Sequence, residues 1–396
     1  MGGRGLRRLV IEDYLGKRAR IYGGERAILV EVVPPGLDPA GRLSELSALA
    51  KTAGVVVVGT TVQRRERPDP ATYIGKGKVL EVSELAKNLA ADTLIFGVEL
   101  TPAQARNLEE FTGLKIIDRS QLILDIFALH AGTKEAALAV ELAQLRYLLP
   151  RLRGWGKALS DTGGIVGTMG PGETRLEQSR RAIRRRIQAL ERELKEAEQA
   201  REIRRSRRRR LGPPEIAILG YTNSGKSTLF NALTRGDAFV ADQLFATLDT
   251  KVRRALLPDG RAALLTDTVG FIRDLPPQLI PAFHATLEAA REASLLLFVI
   301  DASSPAALEH LAVVRRVVFQ EVLKPEDPRP PAIYVLNKMD LLVTPEDWAR
   351  AESLLDQVQP GILVSAKTGE NLRELRHLIA ELLPRKPTET ALAQYH

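Results

Sequence analysis

The sequence predicts an α/β protein in three parts: a small parallel α/β domain, a long antiparallel α-helical hairpin, and a second α/β domain built on a phosphate-binding loop. Three observations carry this expectation. Short apolar runs alternate with helical patterns before residue 132 and again after residue 212. Between them, apolar residues recur at spacings of three and four, the mark of paired helices. Finally, "GYTNSGKS" at 220–227 lies directly between a strand pattern and a helix pattern.

The first domain is expected over 1–132. "RAILVEVV" (26–33), "GVVVVGTTVQ" (54–63), "ADTLIFGVEL" (91–100) and "LKIIDRS" (114–120) have the apolar, β-branched character of buried strands. "GRLSELSALAKTA", "GKGKVLEVSELAKNLA" and "TPAQARNLEEFTG" between them have the character of helices. The last opens with Thr101 as N-cap and Pro102 at the first helical position, where a missing N–H costs nothing.

The hairpin is expected over 133–211. Leu138, Leu142, Leu145 and Leu149 form one seam; Ile183, Ile187, Leu190, Leu194 and Ala197 form another, on a helix about 50 Å long at 1.5 Å per residue. Two such seams bury each other most simply in an antiparallel pair. The connection, 150–172, holds seven of the 30 glycines, and a loop that long is usually functional or disordered. "LGPPE" (211–215) then breaks the helix.

The third domain is expected over 212–385, with "EIAILG", "AALLTD", "SLLLFVID", "AIYVLN" and "GILVSA" as strands, followed by a short tail, 386–396. Its chemistry is spelled out in order along the chain. In "GYTNSGKST", Gly220, Tyr221, Thr222, Asn223, Ser224 and Gly225 let backbone amides wrap anionic oxygens; Lys226 reaches the β- and γ-phosphates, and Ser227 and Thr228 open the helix. Ser227, Thr247 and Asp267 are the oxygen donors expected around Mg²⁺, with Phe245 beside Thr247. Asp267 begins "DTVG", which places the Gly270 amide near a γ-phosphate. "NKMD" supplies Asn337, Lys338 and Asp340, and "SAK" supplies Ser365, Ala366 and Lys367. A carboxylate only accepts, so Asp340 suits the N1–H and exocyclic amine of guanine and not the edge of adenine. GTP or GDP is therefore the expected ligand, the fold is a Ras-like P-loop GTPase domain, and Lys226, Thr247 and Gly270 are the catalytic candidates. The residue after Gly270, often a water-orienting Gln, is Phe271, which orients nothing. Asn223 resembles the Asn found at this place in GTPases that bind K⁺ beside the phosphates, which implies a K⁺ role; the other reading is an ordinary loop hydrogen bond.

Composition narrows the rest. Between Arg175 and Arg210 stand 15 Lys or Arg against 6 Asp or Glu, so this segment at +9 carries the whole net charge of +8. A local polyanion-facing surface follows from that. There is no cysteine, hence no disulfide framework or thiolate metal site, and no apolar run long enough to span a membrane. The N-terminus has no apolar signal segment, so a cytoplasmic location is expected.

Several segments outside the nucleotide motifs then become informative. "TYIGKGKV" (72–79), "LTPAQARNLEE" (100–110), "IDRSQLILDIFALHA" (117–131), "VELAQLRYLLPRL" (140–152), "GGIVGTMGPGETRLE" (163–177) and "FATLDTKVRR" (245–254) resemble the hallmark segments of HflX, a family of ribosome-associated GTPases. The resemblance covers nearly the whole chain. It implies binding to the large ribosomal subunit and its rRNA, splitting or rescue of stalled ribosomes notably under stress, and partial ribosome association of a monomer. Two departures are visible: Ser179 stands where an Asp is expected, and a C-terminal extension of some members has no counterpart. Read beside this, the glycine-rich tip with Gly163, Gly164 and Gly170, flanked by Arg151, Arg153, Lys157 and Arg175, has the make-up of an RNA probe. Arg180, Arg181 and the run Arg207, Arg208, Arg209 and Arg210 extend the same basic face. The alternatives are an RNA-remodelling NTPase with a second ATP site in the first domain, and a GTP-regulated scaffold without RNA. "IGKGKV" lacks phosphate-loop spacing, which favours a tight turn or an RNA contact there over a second nucleotide site.

Overall fold

The computed structural model describes residues 24–152, 171–234, 244–245, 250–279, 284–323 and 329–384, with the backbone course alone for 171–176, 202–211, 284–287 and 321–322. Packing divides the chain into two compact units, Met1–Ala197 with Pro276–Ala282 and Glu198–Leu275 with Phe283–His396. The second boundary expected from composition, at 211/212, thus differs from the packing boundary, which falls inside a helix.

In the first unit the chain runs β1 (Arg26–Val33), α1 (Ala40–Thr52), β2 (Val56–Arg64), α2 (Lys76–Asn88), β3 (Thr93–Phe96), α3 (Pro102–Thr112), β4 (Lys115–Asp118) and α4 (Arg119–His130). The sheet has the order β2-β1-β3-β4 with every pair parallel. Alternate β1 residues Ile28, Val30 and Val32 enter one core with Val79, Val82 and Ala86 of α2 and Leu108 of α3. α3 begins on the expected Thr101, which forms a reciprocal capping box with Gln104. The strand expected over 114–120 stops at Asp118, whose carboxylate accepts from the Gln121 amide at 2.8 Å and caps α4 instead. α4 itself carries no amphipathic signal because Arg119–Phe127 are all buried, and a helix apolar or buried on every side loses its period.

The hairpin consists of α5 (Lys134–Arg151) and α6 (Pro171–Leu211). At 41 residues α6 is about 60 Å long, longer than expected because it starts at Pro171. Both seams meet in one cluster: Leu142, Leu145, Leu148, Leu152, Ile183 and Leu190 are buried, with Leu138, Leu149, Ile187 and Leu194 around them. Arg180 and Arg184 share a cavity wall with Leu148–Arg151, so the early turns of α6 lie beside the end of α5 and the pair is antiparallel. Arg186 grips Glu141 through two hydrogen bonds of 2.7 Å, and Arg146 meets Glu191 at 2.7 Å. Burying one Leu is worth roughly 2 kcal/mol, whereas an exposed ion pair contributes about 0.5 kcal/mol. The seam holds the helices together.

The second unit contains β5 (Glu215–Gly220), α7 (Lys226–Thr234), β6 (Lys251–Leu256), β7 (Ala262–Asp267), α8 (His284–Glu292), β8 (Leu295–Asp301), α9 (Ala307–Arg316), β9 (Ala332–Asn337), α10 (Pro345–Gln357), β10 (Gly361–Leu363) and α11 (Leu372–Leu382). Its six-stranded sheet has the order β10-β9-β8-β5-β7-β6, and only β6 is antiparallel to its neighbour. β6, "KVRRAL", was not among the expected strands: it is an edge strand with Ala255 as its one buried residue. Ile216 and Ile218 of β5, Leu297 of β8 and Val335 of β9 share a core with Phe230 of α7. The chain leaves β5 toward β7 on one side and returns to β8 on the other. The carboxyl ends of β5, β7, β8 and β9 therefore surround a topological switch point, where open α/β sheets bind ligands.

Candidate nucleotide site

The phosphate loop connects β5 to α7 through two left-handed residues, Asn223 (φ 60°) and Gly225 (φ 90°). Gly225 is required twice, because a Cβ there would also collide with the Asn337 amide. A Cβ at Gly220 would run into the Val299 carbonyl. Lys226 is buried, and its Nζ donates to the Tyr221 carbonyl at 2.8 Å, folding the side chain back over the loop. Burial lowers its pKa to about 8 from the ordinary 10.5, with Asp267 opposing and Lys338 adding to the shift.

Asp267 ends β7 fully buried, and its Oδ2 accepts from Ser227 Oγ at 2.7 Å. Its other oxygen has no hydrogen-bond partner among the described residues. Burial raises the Asp267 pKa, while Ser227 and Lys226 oppose the rise. An orphaned buried carboxylate oxygen beside a serine hydroxyl is a hard-oxygen donor set that fits Mg²⁺, which needs one or two carboxylates and completes its shell with phosphates and water. Among the described residues no three acidic or imidazole groups gather as a self-sufficient metal cage. Thr247, the third expected donor, lies outside the described residues.

The elements expected to read the base converge through Asn337. Its Nδ2 donates to the Ser224 carbonyl at 3.0 Å and its Oδ1 accepts from the Ala366 amide at 2.9 Å, tying the phosphate loop, "NKMD" and "SAK" into one body. Lys338 is left-handed (φ 65°) and pairs with Asp301 at 2.8 Å. Asp340 accepts from Ser365 Oγ at 2.6 Å, which fixes the carboxylate, and Lys367 is exposed beside them. Sequence reasoning did not find Asp301, because a contact from β8 to the end of β9 has no short-range signature.

The segment after Asp267 lies along the phosphate loop. The Phe271 amide donates to the Gly220 carbonyl at 3.1 Å, and the Thr222 amide donates to the Phe271 carbonyl at 2.7 Å. A Cβ on Gly270 would stand 2.7 Å from Thr222 Cα and 3.0 Å from Lys226 Nζ, so only glycine fits. The Phe271 side chain is 2 % exposed, a core aromatic. The Thr222 hydroxyl accepts from the Phe245 amide at 3.1 Å, and Phe245 is buried. Thr228 is half-buried in α7.

The expected RNA contacts are placed unevenly. Arg151 is engaged inside the first unit: it donates to Asp118 at 3.0 Å and to the Leu100 carbonyl at 2.7 Å, and stacks 3.5 Å above the Tyr147 ring. Burial raises the Asp118 pKa against the opposing pull of Arg151. Arg180 is mostly covered, whereas Arg181 is 67 % exposed; both approach Glu177. Arg175 and Arg207–Arg210 fall on α6 where only the backbone course is described, and Arg153, Lys157, Gly163, Gly164 and Gly170 lie outside the described residues. "IGKGKV" is a helix start, not the tight turn expected: Ile74 is buried, Gly75 is the N-cap of α2 with its amide donating to Gln63 Oε1 at 2.9 Å, and Lys76–Val79 form the first helical turn.

Three family descriptions match in succession: the N-terminal part of GTP-binding GTPases over 40–128, their middle region over 130–208, and 50S ribosome-binding GTPase over 215–338. GTPase HflX of Caldanaerobacter subterraneus subsp. tengcongensis is 52% identical over 318 residues, covering 80% of this chain and 73% of that protein. GTPase HflX of Escherichia coli is 41% identical over 366 residues, covering 92% and 84%. The crystal structure of SsGBP with GDP superposes with a TM-score of 0.50 at 29% identity, covering 91% of this chain and 98% of the other. The similarity runs through the first unit, the hairpin and the nucleotide site alike, and the chain belongs to the HflX family of GTPases.

Proposed function

We propose that this GTPase acts on ribosomes. With GTP bound it attaches to the large subunit through rRNA, splits or rescues stalled particles, notably under stress, and uses hydrolysis as its release signal. The observation that carries the reading is α6, a continuous 41-residue helix whose basic run, net +9 from Arg175 to Arg210, is separated by four residues from β5, which leads into the phosphate loop. A helix of that charge suits RNA phosphates, and its direct connection to a nucleotide site suits a switch. Arg181 is the most exposed of the described arginines proposed for phosphate contact; Arg151 anchors the end of α5 instead.

In the nucleotide site, the loop amides and Lys226 hold the phosphates, and Asp340 with Ser365 reads guanine. Ser227, Asp267 and Thr247 would hold Mg²⁺, which neutralises charge between the phosphates when bound. Gly270 offers its amide to the terminal phosphate. Asn223 is proposed to support K⁺ beside the loop. The protein is read as a cytoplasmic monomer, partly ribosome-associated.

Sedimentation of 70S ribosomes with the protein and a non-hydrolysable GTP analogue tests the proposal. The expected result is conversion to subunits, with the protein migrating with the large one. Intact 70S particles at saturating protein and analogue would refute it.

A further inference from the structure

Tyr221 is the second residue of the phosphate loop, yet its side chain is committed to the protein and not to a ligand. The ring stacks on that of His310 in α9, with centroids 3.9 Å apart and planes 10° from parallel. Its hydroxyl accepts from the Arg273 backbone amide at 2.9 Å. Arg273 in turn pairs with Glu309, the neighbour of His310, at 2.9 Å. The Tyr221 backbone carbonyl is also the acceptor that holds Lys226.

These contacts extend the pairing between the loop and the segment after Asp267. Phe271 to Gly220 and Thr222 to Phe271 make two rungs, and Arg273 to the Tyr221 hydroxyl makes a third. Gly270 is held at the near end of this ladder, against Thr222 and beside the Lys226 ammonium. An amide and an ammonium so placed can converge on one terminal phosphate. With a buried Phe at 271, no side chain there can compensate if the backbone drifts. Preorganised donors lose their advantage once they must be ordered at the moment of reaction.

We infer that Tyr221 is a positioning residue for GTP hydrolysis: it latches the Gly270–Arg273 segment to the phosphate loop through its hydroxyl, with the His310 ring as its backing. The inference rests on the GTPase reading and adds to it a residue that acts through backbone neighbours. Tyr221→Phe removes only the hydroxyl rung and leaves every main-chain contact of the loop in place, so the effect is expected in turnover.

The test compares full-length wild type with Tyr221→Phe, which removes one oxygen and keeps the stack, and Tyr221→Leu, which removes both. GTP turnover and GDP affinity are measured for each with Mg²⁺ present. Losing one neutral hydrogen bond should lower kcat about 3- to 10-fold in Tyr221→Phe, with KM and GDP affinity within about twofold of wild type. Tyr221→Leu should fall further. An unchanged or raised kcat in Tyr221→Phe overturns the latch, as does a parallel loss of GDP affinity, which would mark a general loosening of the loop. Failure of the wild type to turn over GTP even with large ribosomal subunits added would instead overturn the underlying GTPase reading.

Discussion

As the proposed base reader, Asp340 would distinguish guanine from adenine by the sign of a hydrogen bond, and Ser365 donates to its carboxylate at 2.6 Å. Asp340→Asn turns an acceptor toward a donor, so GTP affinity should fall about 10- to 100-fold, the cost of a buried polar mismatch. Xanthine nucleotides should bind the variant better than GTP; undiminished GTP affinity would remove Asp340 from the base site. Lys226 gives a second test. Burial holds its pKa at about 8 in the absence of nucleotide, and phosphate oxygens favour the ammonium, so binding raises that value. Well below pH 8 the group is charged before and after binding, and no proton moves. Above it, the amine is neutral when empty and takes up a proton on binding. GDP affinity should therefore weaken as pH rises beyond about 8, and calorimetric binding heats there should depend on the buffer's ionisation enthalpy. Buffer-independent heats would show that Lys226 is charged throughout. The phosphate loop, Asp267, "NKMD" and "SAK" were legible in the sequence because each is a short string whose spacing encodes its geometry. Asp301, His310 and the hydroxyl role of Tyr221 were not, because they depend on strands and helices meeting across the sheet.

The hairpin shows what periodicity can and cannot deliver for an element. Both seams were legible, since a spacing of three and four permits one buried stripe, and the two stripes bury each other. α4 was lost for the opposite reason, being buried all round, and β6 because an edge strand with one covered face position looks like charged loop. What the hairpin does with its charge is testable without knowing each contact. Every phosphate neutralised releases counterions, giving a log–log salt slope of about −0.7 to −0.9 per contact. Converting Arg207, Arg208, Arg209 and Arg210 together to Ser should flatten the salt dependence of large-subunit binding by about one to three contacts' worth, with the seam intact. A slope unchanged from wild type would reduce this run to a solvated helix end.

At the scale of the whole molecule, the unusual feature is a phosphate loop of full complement next to a buried Phe271. The backbone ladder can place the Gly270 amide, but the Phe271 side chain cannot hold a water in line for attack. Hydrolysis by the isolated protein should therefore be slow. Completing such sites in trans accelerates hydrolysis by roughly 10³ to 10⁵ in known pairs, about 4–7 kcal/mol of barrier. On the proposed function the large ribosomal subunit would be the supplier, since the basic helix leads straight into the nucleotide domain. On the same reading this incompleteness would have a use: GTP would survive until docking, and its loss would then release the protein. Splitting should follow GTP binding and proceed with a non-hydrolysable analogue, while turnover should rise at least 100-fold when large subunits are added at constant salt. Replacing Na⁺ by K⁺ should raise turnover further if Asn223 helps hold a cation. Phe271→Gln should change turnover more than splitting, although burying an amide in place of an aromatic ring will also cost stability. The decisive measurement is GTP turnover of the purified protein with and without large subunits. Equal rates would mean that the water is positioned within the chain itself, and docking could not then be what times the release.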